Sequence, residues 1–131
     1  MNILDDIKKL VIEYESKYRN PSLEPFIFIE KFNLVTENPK CPPIAAKKGV
    51  YAIFNKDDEI IYLGKSSAQK KAIWHRINDH IYSAKKSAWF SEPRYFCGWA
   101  VPDESFFEAS ALEEFLIFKL RNKLPNNRVG K

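Results

Sequence analysis

The sequence predicts an α+β fold: a small antiparallel three-stranded sheet flanked by helices, preceded by an N-terminal helical extension. Three observations predict it. From Gly49 onward, two β-prone runs are followed by a helical stripe, a third β-prone run and a second long helical stripe. Ahead of them, residues 2–18 repeat apolar side chains at steps of three and four. The chain has 131 residues, 45% hydrophobic and 15% aromatic, which is the length and core content of one domain.

The first element places Ile3, Leu4, Ile7, Leu10, Val11, Tyr14 and Tyr18 on one helical face, with Asp5 and Asp6 in the first turn where the helix dipole favours them. Asn20-Pro21 stops this helix. Residues 25–35, with Phe26, Ile27, Phe28 and Phe32, read as a short strand or an irregular packed stretch, and the prolines 39, 42 and 43 mark a loop. Residues 1–46 therefore form an extension, and residues 47–131 the main domain. There, residues 50–54 and 60–63 make a β-hairpin around the polar stretch 55–59, and Gly64 ends its second strand. Residues 68–84 carry Ile73, Ile77, Ile81 and Ala84 as a helical stripe, residues 94–101 form a third strand, and residues 105–124 form a helix closed by Pro125.

Charge is unevenly spread. Residues 47–94 hold ten basic against five acidic side chains, whereas residues 1–46 hold six against seven and residues 95–131 five against five. A localised positive stripe suits a polyanion, because each phosphate it neutralises releases condensed counterions; a solvated lysine-rich surface is the plainer alternative. Two cysteines are too few for a disulfide scaffold, and no stretch approaches the roughly 18 apolar residues of a membrane span. A cytoplasmic protein away from the membrane is expected.

Several polar residues do not read as packing. At about 100° per residue, Glu113 falls inside the arc of Leu112, Leu116, Ile117, Leu120 and Leu124, while Glu114 points away from it. A carboxylate on a buried stripe must be paired, hydrogen-bonded, bound to a cation or rotated out to solvent. Arg76 and His80, four apart, make one cationic edge beside the isoleucine stripe, which surface decoration would also explain. Tyr51 and Tyr62 lie in the two hairpin strands, where tyrosine is common for packing alone. Cys41, Cys97, His75 and His80 lack the short ligand pair of a zinc site, and Gly64-Lys65-Ser66 lacks the upstream glycine of a phosphate-binding loop.

Gly49-Val50-Tyr51, ten intervening residues and Tyr62-Leu63-Gly64 on a hairpin resemble the signature of the GIY-YIG nucleases. Arg76 and His80 on the next helix continue the resemblance, as do Glu113 ahead of Leu116-Ile117, then Pro125 and Asn126 or Asn127. It covers about residues 47–128 and independently selects Glu113 over Glu114. The resemblance implies metal-dependent endonucleolytic hydrolysis of a nucleic-acid phosphodiester, with DNA the foremost substrate. It makes Tyr51, Tyr62, Arg76, His80 and Glu113 the catalytic set and Glu113 the ligand of one Mg²⁺ or Mn²⁺ ion. Lys65, Lys70 and Lys71 would hold the substrate backbone, with Asn126 or Asn127 beside it. The alternative is a catalytically silent nucleic-acid-binding module of the same fold acting with a partner. The extension is the place for a protein partner or a second copy of the chain.

Overall fold

The computed structural model describes residues 3–33, 47–66 and 95–124. Helix α1 (Ile3–Lys17) has Asp5 and Asp6 in its first turn and Lys17 in its last, each opposing the local partial charge, and buries Ile7, Val11 and Tyr14 at helical spacing. The chain then reverses on Asn20, whose backbone carbonyl accepts from Leu23 N–H at 3.1 Å and whose side-chain oxygen accepts from Ser22 N–H at 2.9 Å.

Four strands follow: β1 (Ile27–Asn33), β2 (Gly49–Phe54), β3 (Ile60–Ser66) and β4 (Tyr95–Ala100). They form one antiparallel sheet in the order β1-β4-β2-β3. The α+β class is as the sequence predicts, but among the described residues the sheet has four strands where three were expected. The reason is the aromatic stretch after Pro25: Phe28 pairs with Trp99 and Phe32 with Phe96, so β1 completes the free side of β4. The β2–β3 turn is held by Asn55, whose side-chain oxygen accepts from Asp57 N–H and Glu59 N–H at 2.9 and 3.0 Å. That closure places Asp58 in the left-handed region at φ 62°, which a short polar side chain tolerates.

The last helix is shorter than the apolar pattern suggests. A 3₁₀ turn (Asp103–Ser105) follows Pro102, and helix α2 runs only over Glu108–Leu120, not 105–124. Leu124 lies beyond the helix and is still buried. The stripe 68–84 lies outside the described residues. None of the described helices is long and apolar enough to cross a membrane.

The core lies between the helix pair and one face of the sheet, where Ile7 and Val11 of α1 and Leu112, Leu116 and Leu120 of α2 join Val50, Ala52, Phe54, Leu63 and Trp99. Three ion pairs run α1 and α2 antiparallel: Asp6 with Lys123 at 3.0 Å, Glu13 with Lys119 at 3.6 Å and Arg19 with Glu108 at 2.9 Å. The first two are exposed and worth little. The third is different. Arg19 grips Glu108 with Nε and Nη2, both side chains are over 90% buried, and the guanidinium stacks 4.2 Å from the centre of the Phe26 ring. Tyr14 hydrogen-bonds the same carboxylate; burial first, and then the Glu108 charge, raises its phenol above the ordinary value.

Breaking this pair on one side leaves a charge buried alone. Arg19→Ala and Glu108→Ala are each expected to lower the unfolding free energy by about 3–5 kcal/mol, while joint replacement by Met and Leu recovers most of it. Urea denaturation of the three variants checks this, and losses that simply add would refute the pairing.

Candidate functional site

The hairpin brings two of the candidate residues together. Tyr51 lies opposite Gly64 in the β2–β3 register, and Tyr62 lies opposite Ile53, two residues along on each strand. Tyr51 and Tyr62 therefore project from one sheet face, and their rings stack with centroids 6.0 Å apart and planes 18° from parallel. Tyr51 is 1% exposed and Tyr62 half-buried. The phenol of Tyr51 reaches over Gly64, where a Cβ would lie 2.9 Å from the Tyr51 hydroxyl oxygen and 2.5 Å from Tyr62 Cε1. Any side chain at position 64 would push both rings away, so this glycine provides room, and its backbone conformation is ordinary.

Gly49 has the same kind of role one step earlier. A side chain there would collide with the carbonyl oxygen of Trp99 in the neighbouring β4. The two glycines thus let β2 lie close between its neighbours at the end of the sheet that carries Tyr51. Sequence reading found both as motif positions; the clash that each avoids depends on the pairing of β2 with β3 and β4.

Glu113 is where the helical phase put it. It is 4% exposed on α2, against an exposed Glu114, and its Oε2 is buried without a hydrogen-bond partner among the described residues. Burial pushes its carboxyl up to about 7, the Lys65 charge pulls against that rise, and the neighbouring Glu114 adds to it. Lys65 enters from β3, next in sequence to Gly64. Adjacent residues of one strand thus face opposite sides of the sheet, Gly64 under the tyrosine rings and Lys65 towards Glu113 on the side that α2 covers. Lys65 was expected to meet the substrate backbone; its electrostatic hold on Glu113 was not legible, because nothing in the sequence specifies the register between β3 and α2.

A buried carboxylate oxygen with no hydrogen-bond donor among the described residues is an open acceptor, and in its deprotonated form it is the hard ligand that a divalent cation takes. Among the described residues, no three His, Cys, Asp or Glu side chains gather, so Glu113 is a single-carboxylate candidate. Arg76, His80, Lys70, Lys71, Asn126 and Asn127 lie outside the described residues.

The burial of Glu113 has a pH consequence. Its folded-state value of about 7 exceeds the ordinary 4.5, so the folded protein holds a proton there that the unfolded chain releases. Its contribution to stability therefore falls as pH rises from about 4.5 through 7. In EDTA, Glu113→Gln is expected to melt several degrees above wild type at pH 8 and close to it at pH 4.5, measured by circular dichroism. A constant offset across that range would show that Glu113 is not buried uncompensated.

The family model of the GIY-YIG catalytic domain matches residues 47–127, more than half of the chain. No curated protein and no solved structure matches.

Proposed function

Since the chain belongs to the GIY-YIG family, whose members are nucleases, we propose that it is an endonuclease that hydrolyses DNA phosphodiesters with one divalent cation, Mg²⁺ or Mn²⁺. The observation that carries this reading is the buried Oε2 of Glu113, which has no hydrogen-bond partner among the described residues. A binding module without catalysis has no use for a carboxylate held at that expense. On this reading, residues 47–131 are the nuclease domain and residues 1–46 its extension.

Glu113 would hold the cation, which when bound supplies positive charge to the phosphate oxygens and the leaving group. The rest is work for side chains. Tyr51, fixed by its stack on Tyr62 and its seat over Gly64, orients the attacking water through its hydroxyl and passes the water's proton toward His80, whose ordinary pKa of about 6.5 suits that task. Arg76 places a permanent charge against the phosphate as negative charge accumulates in the transition state. Tyr62, the more open of the two rings, positions the phosphate. Lys65 favours the charged form of Glu113 against its burial as well as facing the substrate backbone, while Lys70, Lys71 and Asn126 or Asn127 hold that backbone without reading bases.

Two measurements test this proposal. Glu113→Gln is expected to abolish divalent-dependent cleavage of single-stranded, duplex, flap and junction DNA, while Glu114→Gln keeps most of it. Millimolar Mg²⁺ is expected to raise the melting temperature of wild type at pH 8 and leave the glutamine variant unmoved. Equal loss of activity in the two variants, with an equal Mg²⁺ response, would assign the role to another carboxylate.

Within the same scheme, Arg76→Ala and Tyr51→Phe are expected to cut kcat by about 100-fold or more while leaving substrate affinity nearly unchanged, because both act on the transition state. Removing Lys70 and Lys71 should do the reverse, weakening binding similarly for unrelated sequences. Single-turnover rates and anisotropy titrations on the same substrates separate the two patterns.

A further inference from the structure

Just ahead of α2 stand two aromatic residues that keep much of their surface in water. Phe106 and Phe107 are 39% and 62% exposed and meet edge to face, with centroids 6.0 Å apart. Both backbones are already helical, at φ/ψ of −54°/−29° and −63°/−17°, so the phase of α2 extends back through them. Counting from Glu113 at about 100° per residue, Phe106, seven residues earlier, falls within about 20° of the same direction, and Ser110 lies between them on the same ridge. Phe107 points about 120° away. Phe106 and Glu113 are thus two turns apart along one side of the helix, about 10 Å at a rise of 1.5 Å per residue.

Phe106 also has a cation beside it. The Lys48 ammonium lies 4.8 Å from the centre of its ring, and the Lys48 backbone is fixed because its carbonyl accepts from Val101 N–H at 2.9 Å. The neighbouring Lys47 is taken up by Asp103 at 3.1 Å. Lys48 directly precedes Gly49, so this aromatic and cationic pair stands at the end of the sheet where Gly49 pairs with Ser66 and Ala100, one residue from the Val50–Lys65 pair. A strand advancing about 3.4 Å per stacked nucleotide covers the distance from Glu113 to Phe106 in about three nucleotides. An exposed ring with a cation at its face, one short step from a phosphate-cleaving centre, matches a base and its phosphate. In a paired duplex the base faces are covered by their neighbours, and the ring would have nothing to stack on.

We infer that Phe106 is a stacking platform for an unpaired nucleotide of the substrate strand, with Lys48 holding the adjoining phosphate, so that the enzyme favours single-stranded or branched DNA over uninterrupted duplex. This deepens the nuclease reading and takes from it the placement of the scissile phosphate near Glu113.

The test uses the full chain in EDTA, where binding is read without cleavage. Labelled single-stranded DNA and the duplex of the same sequence are titrated by fluorescence anisotropy against wild type, Phe106→Leu, Phe106→Trp and Lys48→Ala. Phe106→Leu keeps an apolar side chain of similar bulk and removes the π face. It is expected to weaken single-strand binding about tenfold and duplex binding less than twofold, while Phe106→Trp binds at least as tightly as wild type. Lys48→Ala should lower the salt dependence of single-strand binding by about one counterion. Unchanged single-strand affinity in Phe106→Leu, or equal loss on both substrates, overturns the inference. The nuclease reading fails on a different result, absence of Mg²⁺-dependent cleavage by wild type on every substrate, so the two failures are distinguishable.

Discussion

The position of α2 is the constraint on which the rest depends. That helix supplies Leu112, Leu116 and Leu120 to the core and, on the edge of the same face, Glu113 to the site. Rotation of the helix about its axis would carry Glu113 towards solvent or drive it into the leucines. Burial of the leucines alone tolerates such rotation, because hydrophobic contact is not directional. The direction comes from α1, which runs antiparallel beside α2, and from Arg19 just past its end, which fastens the first turn of α2 through the bidentate pair with Glu108. The N-terminal stretch is therefore joined to the rest of the chain twice, by this pair and by β1 along β4.

Two glutamates on α2, five residues apart, are both withdrawn from water, and the fold treats them in opposite ways. Glu108 is surrounded by donors from Arg19 and Tyr14. Glu113 keeps one oxygen without a donor among the described residues, and burial pushes its carboxyl up to about 7. The first is anchorage. The second is a local instability held in place by the packing around it, the form in which proteins commonly store reactivity at a site.

Much of this was legible in the sequence where one period decides the outcome. Helical spacing alone separated Glu113 from Glu114 and placed Ile7, Val11 and Tyr14 in the core. The β-prone runs on either side of residues 55–59 specified the hairpin and, with it, the meeting of Tyr51 and Tyr62. What was not legible depends on partners distant in the chain. β1 has no clean alternation because it carries an extra residue and its aromatic residues pack on both sides, so its pairing with β4 could not be read from residues 25–35 alone. Arg19–Glu108 joins residues 89 positions apart, and neither has a local pattern that announces the other. The shortened start of α2 follows from Pro102 and the 3₁₀ turn behind it, whereas the apolar stripe runs on past both ends of the helix.

The irregularity in β1 has a consequence for the protein at high concentration. Between Ile29 and Phe32, β1 spends one residue more than β4 does between Gly98 and Phe96, and the extra residue falls at Glu30 and Lys31, both exposed and of opposite charge. Lys31 is further tied to Asp58 of the hairpin turn. β1 is the outermost strand on its side, where an unbroken row of amides and carbonyls would invite an unfolded neighbour to dock and extend the sheet without limit. The bulge kinks that row and sets charges across it. The strand that enlarges the sheet thus also ends it, and the chain guards itself against templated fibre growth at the margin where its own sheet stops.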